Sequence, residues 1–151
     1  MSKTKPHPWK CPECRSQTVF PAQDPYEADV EHDGRSYRVR LPKLELHRCS
    51  ACGFTIIDDI GNRAVSAELR RVASLLQPEE IRKEREALGL TQKQLAGYLH
   101  IAEATLSRWE TGGQIQQRAL DHMLRAFFDL SEFRAYSGYG TQVPQEAVSV
   151  G

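Results

Sequence analysis

All the cysteine of this chain stands in two Cys-x-x-Cys pairs, Cys11-Pro12-Glu13-Cys14 and Cys49-Ser50-Ala51-Cys52, the second followed by Gly53. Two thiolates three positions apart grip one ion from a single tight turn. A second such turn completes a tetrahedron of sulfurs, with Zn–S near ~2.3 Å. The fold must then bring residues 11 and 52 to one point. We read Cys11, Cys14, Cys49 and Cys52 as the ligands of one Zn2+ per chain. A closed four-sulfur site keeps no position for water, so its role is structural. Gly53 suits a knuckle whose backbone amides turn toward sulfur. A thioredoxin-like redox pair at Cys11 and Cys14 would need a βαβ context that is not visible here. His7, His32 and His47 are spare donors, and with four thiolates present they read as surface or packing residues.

Between the pairs the text alternates like strand. Ser36-Tyr37-Arg38-Val39-Arg40-Leu41 is interrupted by Pro42, and Leu44-Glu45-Leu46-His47 alternates again into Cys49. A few short antiparallel strands are expected, with Asp33-Gly34 at a hairpin turn and Pro42 at a turn, edge or bulge. A module this small has a thin apolar core, for which structural metal is a usual remedy.

From Ser66 the period becomes helical, with Leu69, Val72, Ala73 and Leu76 in one stripe. Pro78 suits the first turn of the next helix and Gly89 its end. Thr91-Gln92-Lys93-Gln94 reads as a capping box. A short helix is expected from about Ala102 to Glu110, a longer one from about Gln116 to Asp129, and a last turn capped by Ser131. The stretch from Gln92 to Glu110 fits a helix-turn-helix. Its inner positions fall on Leu95, Leu99, Ile101, Leu106 and Trp109, and its close contact falls on Ala96. His100 occupies the turn position that favours positive φ, where histidine is an accepted substitute for glycine. In the second helix of the pair, Ala102, Leu106 and Trp109 should point inward. Ala104, Thr105 and Arg108 should point outward, flanked by Glu103 and Ser107. Arg108 is suited to guanine, Thr105 to a thymine methyl or a phosphate, and Gln92 and Lys93 to phosphates.

The formal net charge is zero, with ten Lys/Arg and nine Asp/Glu in residues 1–65 and ten and eleven in residues 66–151. That balance opposes a general nucleic-acid coat but not a local reading patch. No apolar run is long enough to span a membrane, and no apolar stretch follows the lysines of residues 1–9. A cytoplasmic protein is expected, where paired cysteines hold metal rather than disulfides. No nucleophile or acid/base constellation suggests an enzyme.

The chain resembles the MqsA antitoxins, the YgiT-type zinc-finger/helix-turn-helix family, over most of residues 8–135. The resemblance rests on both cysteine pairs, on Ile81-Arg82-Lys83 leading into Leu88-Gly89-Leu90-Thr91-Gln92, and on Ser107-Arg108-Trp109-Glu110-Thr111-Gly112. It implies an antitoxin whose zinc module binds a toxin, commonly an mRNA-cleaving endoribonuclease. It also implies that the helical half dimerises and represses its own operon at a palindrome. Arg108 matches the arginine of the family's base-reading pair, whereas Ala104 stands where asparagine would be. The expected organisation is α+β: a β-rich zinc module at 1–65, a helix-turn-helix domain of XRE type at 66–136 for DNA binding and homodimerisation, and a flexible tail at 137–151. The alternative is a stand-alone regulator whose zinc module serves another protein.

Overall fold

The computed structural model describes residues 5–140. The chain divides into two compact units, Met1–Ser74 and Leu75–Gly151, giving the α+β class expected from sequence.

The first unit is an antiparallel sheet in the order β1 (Trp9–Lys10), β2 (Gln17–His32), β3 (Arg35–Cys49), β4 (Thr55–Ile56), followed by helix α1 (Asp59–Val72). Short strands were expected here, but β2 and β3 form one long hairpin of 16 and 15 residues. It turns at Asp33-Gly34, where both residues have positive φ, 53° and 74°, as a two-residue hairpin of this hand requires. Pro42 does not end the strand. The register steps from Tyr26↔Leu41 to Asp24↔Leu44, so Pro42 and Lys43 together oppose Pro25 in a bulge. Directly paired residues share a face. Because β2 runs without an insertion, Tyr37, Val39, Leu41, Leu44 and Leu46 all lie on the side of Val30, Ala28, Tyr26, Asp24 and Ala22. The bulge thus rephases two alternating runs that would otherwise face opposite ways. The other face carries Arg38 paired to Glu27 and Asp29 at 3.0 and 2.9 Å, and Arg40 to Glu27 at 3.2 Å.

Helix α1 packs against β3. Asp58 caps it, accepting from the Gly61 amide at 3.0 Å, and its other carboxylate oxygen meets His47 Nε2 at 2.9 Å. Gly61 is required by close approach: a Cβ there would lie 2.8 Å from the Glu45 carbonyl oxygen and 2.7 Å from Ile57 Cγ2. The helix therefore begins before Ser66. It belongs with the sheet, so the division falls after Ser74 rather than after residue 65. The stripe read as one helix is split. Leu69 and Ala73 are buried in the first unit, while Leu76 enters the core of the second.

The second unit is all helix: α2 (Pro78–Ala87), α3 (Gln92–Leu99), α4 (Glu103–Thr111), α5 (Arg118–Asp129) and α6 (Ser131–Tyr136). Gly89, with φ 70°, follows α2. The capping box at Thr91 is formed, with Gln94 N to Thr91 Oγ1 at 3.1 Å and Thr91 N to Gln94 Oε1 at 2.9 Å. The core gathers Leu76, Ile81, Leu95, Ala96, Leu99, Leu106, Trp109, Leu124, Phe127 and Phe128. Helix α5 starts two residues later than expected, because Gln116 is buried ahead of it and donates to the Leu76 carbonyl at 2.8 Å. The apolar residues Leu120, Met123, Leu124, Phe127, Phe128 and Phe133 all pack in or against this core. The expected tail from 137 is corrected at its start. Tyr139 packs on the core and donates from its hydroxyl to the Leu88 carbonyl at 3.3 Å. Residues 141–151 of that tail lie outside the described residues.

Candidate functional site

Two knuckles of the same build carry the four thiols. In the first, Arg15 N bonds Cys11 O at 3.0 Å and Cys11 N bonds Ser16 O at 2.8 Å; in the second, Gly53 N bonds Cys49 O at 2.9 Å and Cys49 N bonds Phe54 O at 2.8 Å. The residue after each pair has positive φ, 67° at Arg15 and 78° at Gly53. This turns the amides of Ser16 and Phe54 onto Cys14 and Cys52. Strands β2 and β3 bring the knuckles together, since Val19 pairs with Cys49. Cys11, Val19 and Cys49 are buried, with Trp9 and Ile56 against them.

The four sulfurs lie within 4.8 Å of one another. Cys11 to Cys52 and Cys14 to Cys49 are each 3.6 Å, close to the ~3.8 Å edge of a tetrahedron with ~2.3 Å arms. Without a cation the set cannot ionise evenly. The Thr18 hydroxyl, 3.1 Å from its sulfur, leads in bringing Cys49 down to about 6, and the Ser16 hydroxyl and amide lower Cys14. The Phe54 amide favours the Cys52 thiolate, but desolvation and the thiols of Cys11, Cys49 and Cys14 push it up to about 12. A divalent ion at the centre removes that conflict, because its charge favours all four thiolates together. All four sequence-predicted ligands thus converge as a possible metal site. Thr18 and Ser16 escaped the sequence reading, although both lie within four residues of Cys14.

The histidines are not part of this cluster. His47 is buried, bonds Asp58, stacks with His7 at a centroid distance of 5.1 Å and lies tilted against Trp9 at 4.1 Å. His7 bonds the Val19 carbonyl through Nδ1 at 3.2 Å.

In the second unit, α3 and α4 flank a tight turn. His100 adopts the left-handed conformation expected of it, φ 55° and ψ 40°, and Ile101 N reaches back to Ala96 O at 3.0 Å. Gln92 and Lys93 open α3, half-buried and exposed respectively. On α4, Glu103, Ala104 and Arg108 are exposed and Thr105 and Ser107 half-buried. The inner face differs from expectation at two positions. Ala102 is the exposed residue before the helix, and Glu110 joins Leu106 and Trp109 inside. Glu110 is held there by Arg85, Nη2 to Oε1 at 2.8 Å, with Arg82 at 3.9 Å. It is therefore not available to Arg108, whose side chain has no ion-pair partner among the described residues.

Residues 81–132 match the family model of the helix-turn-helix, and the second unit carries a DNA-binding fold of XRE type. No curated protein matches the chain.

Proposed function

We propose that this chain is an MqsA-type antitoxin: its first unit holds a structural zinc ion and a toxin, and its second represses its own operon. The observation that carries the reading is the pairing, in this order, of a four-thiol β unit and a helix-turn-helix with an exposed outer arginine. Sulfur-only donors at tetrahedral spacing favour zinc over harder ions, and a site closed by four thiolates does not activate water. The protein then acts by binding in the cytoplasm and performs no catalysis.

The sheet supports a protein partner. Strand β1 covers β2 only near Gln17 and Val19, and β4 covers β3 only at His47 and Arg48. Beyond them, no strand among the described residues pairs with the outer edges of the hairpin. Pro21 and Pro25 interrupt the β2 side, since a proline has no N–H to offer. The β3 side from Arg35 to Leu41 is the more open edge, and such edges accept a strand from another chain. We place the toxin there and the operator on α3 and α4. Two copies would address half-sites about 34 Å apart or a multiple of that.

The test is to express the protein encoded beside this chain with and without the full chain. The expected result is growth arrest relieved by co-expression, with a complex that co-purifies and contains zinc. A harmless neighbour, or arrest that the chain does not relieve, leaves a stand-alone regulator as the better account.

A further inference from the structure

Position 104 departs from the base-reading pair of the resembling family, and α4 offers a physical reading of that departure. The helix turns inward Leu106, Trp109 and Glu110, all 2% exposed or less. At about 100° per residue the opposite side carries Ala104, Arg108 and Thr111, and all three are exposed. Thr111 lies in the last turn, with its hydroxyl 3.4 Å from the Arg108 carbonyl. Ala104 lies in the first turn, the end from which recognition helices meet base edges. Ala104 and Arg108 are separated by about 40° around the helix and about 6 Å along it. With bases stacked about 3.4 Å apart, the two side chains address positions one or two steps apart.

We propose that Ala104 reads a thymine through its 5-methyl group, one or two base pairs from the guanine read by Arg108. This rests on the reading of α4 as a major-groove helix. The alanine side chain is a single methyl with neither donor nor acceptor. Among the four bases only thymine offers the major groove an apolar group. Every other base would set a donor or acceptor against that methyl and strip it of water without replacing the bond. The absence of a long side chain also lets the first turn sit closer to the bases, where a contact of one methyl with another is made. An alanine present only as a helix former makes the opposite forecast, with no base preference at that position.

The experiment selects binding sites for the full chain from a pool of random duplexes. It then replaces each selected thymine by deoxyuridine, which differs only by the missing methyl. The expected half-site has a thymine one or two pairs from a guanine whose preference disappears in Arg108→Ala. Deoxyuridine at that thymine should weaken binding about fourfold, the factor for one buried methyl group. Ala104→Asn should move the preference there from thymine to adenine, since its amide meets N6 and N7 together. Unchanged binding to deoxyuridine at every thymine near the guanine would overturn the proposal, as would an unchanged base preference in Ala104→Asn. Both results leave DNA binding intact. A pool with no enriched sequence instead removes the major-groove reading itself, and this inference with it.

Discussion

Glu110→Gln removes one charge from the second unit and should cost it a large part of its stability. The Glu110 side chain is completely enclosed and that of Arg85 is 11% exposed. Arg85 Nε donates to one carboxylate oxygen at 2.9 Å, Nη2 to the other at 2.8 Å, and Nη1 to the Leu90 carbonyl at 2.7 Å. The pair clamps α2 to the last turn of α4, and the carboxylate holds the guanidinium above its usual pKa. Removing one member of a buried pair leaves the other charge uncompensated, at about 3–5 kcal/mol. Glutamine keeps the volume and one acceptor, so the loss should fall near the lower end. A helical unit of this size has about 3–10 kcal/mol in all. At about 1 kcal/mol per molar urea, the midpoint of the helical transition should drop by about 3 M. Arg85→Met combined with Glu110→Leu removes both charges and keeps the bulk; that double variant should be near neutral or more stable by about 1–4 kcal/mol. Urea titration of the full chain, followed by far-UV circular dichroism, measures both. A single variant within about 0.5 kcal/mol of the parent would refute the argument from buried charge. A double variant as damaged as the single would refute it equally.

Strong chelation should unfold the first unit and leave the helices of the second in place, because zinc binding to such thiol sets is on the order of 10 kcal/mol of folding energy; elemental analysis before chelation should find one zinc per chain. Asp58→Ala should destabilise the first unit by about 1 kcal/mol through loss of the α1 cap. The His47 bond and the Gly61 amide hold the Asp58 carboxyl below its usual value. Its folded pKa is thus depressed, so the contribution is complete above ~3.9 and disappears as pH falls through the folded value; acid titration of the parent and the Asp58→Ala variant should converge there. His100→Gly should stabilise the second unit by up to about 1 kcal/mol by relieving a left-handed residue, less what glycine gains in the unfolded chain, as read by thermal melting.

The parts of the molecule legible in the sequence are those where a residue type is dictated by its immediate neighbours. Four thiols in two short turns have few ways to be satisfied, and they converge. A turn between two helices needs a positive φ, and His100 adopts it. The outward placing of Ala104 and Arg108 on α4 was legible too, from the apolar spacing of Leu106 and Trp109. The burial of Glu110 was not legible, because pattern reading places a glutamate outside. Only Arg85, distant in sequence but 2.8 Å away in space, makes the inside tenable.

What is hidden from the sequence in the first unit has a cause of the same kind. Gly61 and Asn62 are poor helix formers, so the start of α1 is hidden locally. Yet glycine is what lets the helix approach the Glu45 carbonyl of β3. Pro42 looks like a strand terminator, yet β3 runs through it. Its effect is seen only across the ladder, where Asp24 and Tyr26 are two residues apart while their partners Leu44 and Leu41 are three. Without the extra residue, Leu44 and Leu46 would turn to the charged face of Glu27, Asp29 and Arg38, and α1 would lose its seat. A proline that breaks alternation in sequence therefore preserves it in space. Deleting Lys43 should for that reason damage the first unit more than Pro42→Ala, which keeps the count of residues and with it the face. Chelator sensitivity of the two variants compares them directly, and equal damage would show that the proline ring rather than the register is what the fold requires.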